Sequence, residues 1–309
     1  MGWFLFAHRS MGSGSPILPG RLGLAGARVP YVDRHGLLWL SRGQLYVENG
    51  TMQFLAAKSD DLLPGLYAIP YQLVSIILLG PGTSITHDVL RIAARHGTLL
   101  AAIGVGGVKL YTAPPMGQGH SDVARSHARL WADEKCRLHV ARRMYGIRFG
   151  AIPPDKEISA LRGMEGGRLR ETYRIVADRY GVTWSGRRYD RDHPESADLP
   201  NQAINHAATF VEAAADIAVA AVGALPPLGF IHEDSSNAFT LDIADMWRAD
   251  VTLPLAFSTV AQMTQVQTRP LEREIRYQAA KWFKDKKMIP RMIDQIKELL
   301  NVHDANSDP

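Results

Sequence analysis

Residues 44–55 read Q-L-Y-V-E-N-G-T-M-Q-F-L, two short apolar-rich runs joined by Asn49-Gly50. A tight two-residue turn needs positive φ, which Asn and Gly tolerate, so the stretch reads as a β-hairpin. It sets the class of its surroundings. From Tyr31 to Tyr111 further short apolar runs, at 37–40, 66–69, 74–79, 99–103 and 108–111, are separated by turn residues in the same way. One helix, expected over 86–96, interrupts them and stops at Gly97, placed as a C-cap. Gly104-Val105-Gly106-Gly107 follows an apolar strand without opening a helix, so it reads as a hairpin turn rather than a nucleotide-binding loop.

Past Ala113-Pro114-Pro115 the pattern changes to long segments of 3.6-residue periodicity. Helices are expected over 122–145, 155–162, 165–180, 201–222, 237–250, 253–265, 271–286 and 289–301, with a long loop at 182–200. The fold class is therefore α+β. A flexible tail rich in Gly, Ser and Pro (1–28) precedes a small, mainly β domain (29–112), and a larger all-helical domain follows (113–309).

Composition narrows the function. A net charge of +4 and a pI near 9.2 fit a polyanionic partner only loosely, and the placing of the arginines says more than their number. The single cysteine, Cys136, excludes an internal disulfide and a thiolate metal cluster, which suits a reducing cytoplasm. The apolar start Met-Gly-Trp-Phe-Leu-Phe is too short for a signal peptide, and the apolar stretch 203–225 is broken by His206, Glu212 and Asp216. No membrane association is expected.

Four residues carry the candidate chemistry: Glu165 in R-G-M-E-G-G-R, His232 in G-F-I-H, and Asp242 and Asp245 in L-D-I-A-D. The two aspartates, three apart, share one face of a helix. Three carboxylates with one imidazole suit Mg²⁺ or Mn²⁺ better than zinc. Each also has an ordinary reading: the Asp pair as a solvated helix face, the His as structural, the Glu as a helix-start residue favoured by the macrodipole. The apolar neighbours Phe239, Leu241, Ile243 and Met246 place at least one aspartate near the core, where a carboxylate requires a partner.

Taken together the segments R-G-M-E-G-G-R-L-R-E-T-Y (162–173), Y-G-V-T-W-S-G-R-R-Y-D (180–190), N-Q-A-I-N (201–205), G-F-I-H (229–232), L-D-I-A-D (241–245) and R-E-I-R (273–276) resemble the CRISPR-associated integrase family Cas one, in its subtype I-E branch. The resemblance runs from about residue 30 to about residue 300. It implies a Mg²⁺- or Mn²⁺-dependent DNA endonuclease and integrase that inserts spacer DNA into a CRISPR array, a DNA 3′-OH attacking a phosphodiester of the repeat. Glu165, His232 and Asp245 are implied as metal ligands, with Asp242 as a supporting or alternate ligand. Expected partners are double-stranded DNA (the incoming prespacer and the CRISPR leader-repeat), a second copy of the chain joined largely through the β domains, and the small companion protein Cas two. Two alternatives stand beside this: a non-catalytic scaffold that holds DNA ends, and a standalone metal nuclease for branched DNA.

For DNA contacts the expected residues are Lys109, Arg162, Arg168, Arg248, Arg273 and Arg276. Arg148 and its neighbours closing the first long helix are grouped with them as phosphate contacts. Trp184 and Tyr189 have two readings, base stacking or burial. Glu212 and Arg42 depart from the relatives, each standing where a tyrosine is expected.

Overall fold

The computed structural model describes residues 37–58, 62–112, 121–150, 158–188, 197–265 and 270–301. The hairpin is present as β2 (Gly43–Glu48) and β3 (Thr51–Ala56), antiparallel, with Glu48 opposite Thr51 and both turn residues at positive φ, Asn49 at 49° and Gly50 at 76°. Around it the β-sheet region adds β1 (Leu37–Leu40), β4 (Gly65–Ala68), β5 (Ile76–Leu79), β6 (Thr83–Ile85) and β7 (Leu99–Ala102). They form two sheets, a parallel one in the order β1-β5-β7 and a mixed one in the order β4-β3-β2-β6. Leu40, Leu45, Met52, Phe54 and Ile77 pack with Val89 and Ile92 of α1 (His87–His96) into one core. The three residues of β6 escape sequence analysis because so short a run has no periodicity of its own.

The residues expected as a last strand, 108–111, are not one. A short 3₁₀ turn at Val105–Gly107 precedes them, residues 105–110 group with the helical unit, and the strand is reduced to an isolated bridge at Leu110 with the Tyr111 N–H donating to the Ala102 carbonyl at 2.8 Å. Gly106 lies at φ 68°, and a Cβ there would stand 2.5 Å from the Ala280 Cα. The backbone therefore meets the helix carrying Ala280 at a distance that glycine alone permits.

The helical region comprises α2 (Ser121–Ala132), α3 (Glu134–Phe149), α4 (Ile158–Arg179), α5 (Leu199–Val222), α6 (Ala238–Met246), α7 (Leu253–Gln265), α8 (Leu271–Asp285) and α9 (Met288–Leu299). A β-sheet region followed by a helical one is the α+β order that the periodicity indicated. Three boundaries differ from expectation. The helix expected over 122–145 is two, because the Asp133 side chain accepts from the Cys136 N–H at 2.8 Å and caps a new helix. The two helices expected on either side of Gly163 are one: α4 runs unbroken through R-G-M-E-G-G, so Glu165 lies within it rather than at a helix start. After α6 comes a π-helical turn, Arg248–Thr252, where Pro254 has no N–H to continue an α-helical ladder. Fully buried α5 residues such as Phe210, Ala214 and Ala218 form the centre of the helical core. No helix among the described residues is long and apolar enough to cross a membrane. The tail 1–28, the 113–115 break and Tyr189 lie outside the described residues.

Candidate metal centre

His232 follows the irregular segment 225–231, and that segment is held from three sides. From α2, His127 donates Nε2–H to the Leu228 carbonyl at 2.8 Å and accepts the Leu225 N–H on Nδ1 at 3.2 Å. One turn on, Trp131 donates Nε1–H to the Gly229 carbonyl at 2.9 Å. Burial lowers the His127 pKa to about 4, so the ring is neutral, as the two hydrogen bonds require. From α4, Arg162 donates to the Ile231 carbonyl and pairs with Glu233 at 3.6 Å. Gly229 is required where it stands, because a Cβ would lie 2.3 Å from the His232 carbonyl oxygen.

From α6, Asp242 completes the support. It is wholly buried, and both its oxygens are saturated: Oδ2 accepts the N–H groups of Phe230 (2.6 Å) and Ile231 (3.0 Å), while Oδ1 accepts the N–H of His232 (3.0 Å) and its ring Nδ1–H (2.6 Å). An ionised carboxylate offers about four acceptor positions, so no lone pair remains for a metal. As placed, Asp242 anchors the loop, fixes the imidazole tautomer and leaves Nε2 as the open donor. This bond is also the main reason the His232 pKa is raised.

Asp245, one turn along α6, faces the same place, with Oδ2 4.0 Å from His232 Nε2. Glu165 of α4 is joined to it through one arginine. Arg148 of α3 lies between them, its Nη2 2.5 Å from Glu165 Oε1 and 3.5 Å from Asp245 Oδ2, with only 4% of its side chain exposed. Tyr145, one turn earlier, donates its hydroxyl to Glu165 Oε2 at 2.9 Å, and burial followed by the Glu165 charge raises its pKa, so it stays a donor. Arg248 pairs with the other Asp245 oxygen and lies 3.4 Å from the Tyr173 hydroxyl. Sequence analysis passed over Tyr145 and grouped Arg148 with the DNA contacts. The spacing Tyr145-x-x-Arg148-Phe149, which puts three side chains on one helix face, was the available signal.

Glu165 and Asp245 thus meet across Arg148 with His232 beside Asp245, yet among the described residues no three His, Cys, Asp or Glu side chains are placed to hold a metal ion directly. The donor chemistry nevertheless fits a divalent cation: two carboxylates already close on a buried positive charge, and a tautomer-fixed imidazole stands at the rim. Glu212 of α5 belongs to the same electrostatic environment. Burial, and then the Asp245 charge, raise its pKa.

The expected DNA contacts divide. Arg168 and Arg273 are exposed and pair with no carboxylate among the described residues, although Arg168 lies over the Phe149 ring at 5.7 Å. Lys109 and Arg276 both approach Glu272, at 3.1 and 3.6 Å. Arg162 and Arg248 are engaged in the site as described. Trp184 stacks on Tyr173 and meets Phe257 edge-on, with ring centroids 5.3 and 5.5 Å apart, so both its neighbours are protein rings. The loop before α5 is tied down by N-Q-A-I-N: Asn201, fully buried, accepts from Arg187 Nη1 and the Arg188 N–H, and Asn205 accepts from Arg187 Nη2.

No protein-family model matches the chain. Its relatives in sequence are CRISPR-associated endonucleases, which gives the class. Cas1 3 of Methanospirillum hungatei JF-1 is 35% identical over 273 residues, 88% of each chain. Cas1 of Escherichia coli K12 is 35% identical over 273 residues, 88% of this chain and 87% of its own. The chain belongs to the Cas1 family. Among solved structures, TtCas1 in complex with DNA matches with a TM-score of 0.75 at 30% identity, covering 88% of this chain and 99% of the other. A casposase bound to its integration product matches with a TM-score of 0.59 at 14% identity, a likeness of fold alone, over 87% of this chain and 96% of that one.

Proposed function

We propose that this Cas1 is a Mg²⁺- or Mn²⁺-dependent DNA integrase of the subtype I-E branch, acting in the cytoplasm to insert spacer DNA into a CRISPR array. The observation that carries the reading is that Glu165 and Asp245 close on one buried point, the Arg148 guanidinium, with the Asp242-oriented His232 beside Asp245. Glu165, Asp245 and His232 Nε2 are the ligands and Asp242 their support. A divalent cation bound there supplies Lewis-acid polarisation of a phosphodiester and offsets the charge that develops on it. The chain's own part is to fix the donors. Asp242 keeps the proton on Nδ1, Tyr145 orients Glu165, and the clamped 225–231 loop keeps His232 in place. In the reaction the attacking DNA 3′-OH gives up its proton and bonds to phosphorus, while the bond from phosphorus to the outgoing 3′-oxygen breaks and that oxygen takes up a proton, leaving a free 3′-OH.

The DNA partner accords with the relative solved as a DNA complex, and the exposed Arg168 and Arg273 are suited to phosphate contacts. The family resemblance adds a homodimer and the companion Cas two. The test is strand transfer: protein with Cas two, labelled duplex with 3′-OH ends and a supercoiled plasmid carrying an array, with either metal and with chelator. Label joined to plasmid only with metal supports the reading. Binding without joining supports a second one, a DNA-end scaffold, which the arginine-filled carboxylate centre favours. Asp245→Asn is expected to lower joining by a factor of about 10³ or more, the loss of a ligand to the reacting centre.

A further inference from the structure

We propose that Arg148 is the resident cation of the carboxylate centre: in the metal-free protein its guanidinium holds Glu165 and Asp245 together, and it leaves that place when a divalent cation enters. The proposal rests on the metal-site reading above and concerns what must move for that site to fill.

Arg148 alone of the two arginines reaches both carboxylates, since Arg248 contacts Asp245 and lies near Tyr173 but is not paired with Glu165. Without a positive charge between them, Glu165 and Asp245 would repel at short range with 17% and 13% of their side chains exposed. As placed, the two carboxylates face two guanidiniums, and the charges of these four groups cancel. Adding a divalent cation with Arg148 still seated would crowd two further positive charges against two guanidiniums in a largely buried space, with only the Asp242 carboxylate behind His232 left to offset them, a costly arrangement. Withdrawing Arg148 relieves half of that charge and opens the carboxylate oxygens for coordination. The guanidinium is also imperfectly satisfied where it sits: Nη1 is buried and has no hydrogen-bond partner among the described residues. That shortfall eases its departure. Its Cζ lies 5.6 Å from the Tyr145 ring and 5.5 Å from the Phe149 ring, aromatic faces that keep contact with a guanidinium through a small shift.

Calorimetric titration with Mn²⁺ of the full chain and of Arg148→Gln and Arg148→Lys tests this without an activity assay. Arg148→Gln is expected to bind Mn²⁺ at least tenfold more tightly than wild type, with a larger Mn²⁺-induced rise in melting temperature. Arg148→Lys, keeping the charge on a head that cannot bridge both carboxylates, should fall between. Equal or weaker binding by Arg148→Gln overturns the proposal while leaving the metal site intact. No Mn²⁺ binding by wild type or either variant overturns the metal-site reading, and this proposal with it. A crystal structure of wild type with Mn²⁺ decides the matter even if the variants do not fold. A guanidinium withdrawn from between Glu165 and Asp245 supports exchange, and one still seated there beside bound Mn²⁺ refutes it.

Discussion

Asp242 and Asp245 stand three residues apart on one helix and do different work. Asp242 faces inward and accepts four N–H groups, three of them from the backbone of 230–232. Asp245 faces the two arginines. Replacing Asp242 by Asn would turn an NH₂ toward donors and leave buried N–H groups unmet. Asp242→Asn is therefore expected to cost about 2–4 kcal/mol in urea unfolding and to weaken Mn²⁺ binding by about 10–100-fold. Unchanged stability would show that the carboxylate is not the anchor of the loop. The sequence marked both aspartates. It could not separate them, because the separation depends on which one points at backbone N–H groups lying 10 to 12 residues earlier in the chain.

At the scale of elements, the glycines of α4 oppose the helix they occupy. A Cβ at Gly163, Gly166 or Gly167 would meet nothing within 4 Å, so packing within the chain does not require them. Gly167→Ala is expected to stabilise the protein by about 0.5–1 kcal/mol in chemical denaturation. A loss of DNA affinity in the same variant would identify the smooth face of α4 as a place of close approach. Gly106 is the opposite case. There Gly106→Ala combines positive φ with contact against the backbone of α8, and a loss of more than about 2 kcal/mol is expected by the same measurement. The helix break at Asp133 was legible as a cap residue and was overlooked, whereas continuity through Gly163 was not legible. Local propensity argues against a helix there, and burial of Leu161, Tyr173, Val176 and Ala177 on its inner face overrides it.

For the molecule as a whole, two titrations report on the architecture. His127 has its pKa lowered to about 4 from 6.5, with Asp242 the charged group acting on it in the opposite sense. Because the unfolded chain binds this proton at a higher pH than the folded one, its contribution is complete above about pH 6.5. It is lost as pH falls toward 4, up to about 3 kcal/mol. His127→Gln should show a shallower fall in stability over that window, and an unchanged slope would reassign it to other groups. The second titration is with salt. DNA affinity should fall log-linearly with salt concentration, and Arg168→Ala and Arg273→Ala should each reduce the slope by about 0.9 if each meets one phosphate. Lys109→Ala and Arg276→Ala should change it less, because Glu272 already draws on both.

The sequence by itself determined the elements whose cause is local. The Asn49-Gly50 hairpin, most helices after residue 120 and the α+β order follow from turn chemistry and periodicity, which neighbouring residues set among themselves. It also determined the donor types, Glu, His and Asp, and the resemblance that joins them. Tertiary structure alone decided that Asp242 is an anchor, that Tyr145 and Arg148 belong to the centre, and that residues 105–110 pack with the helices. Each of these depends on a pairing between residues distant in the chain. Such a pairing is fixed by how buried charges and N–H groups find partners once the helices are packed, which no local pattern encodes.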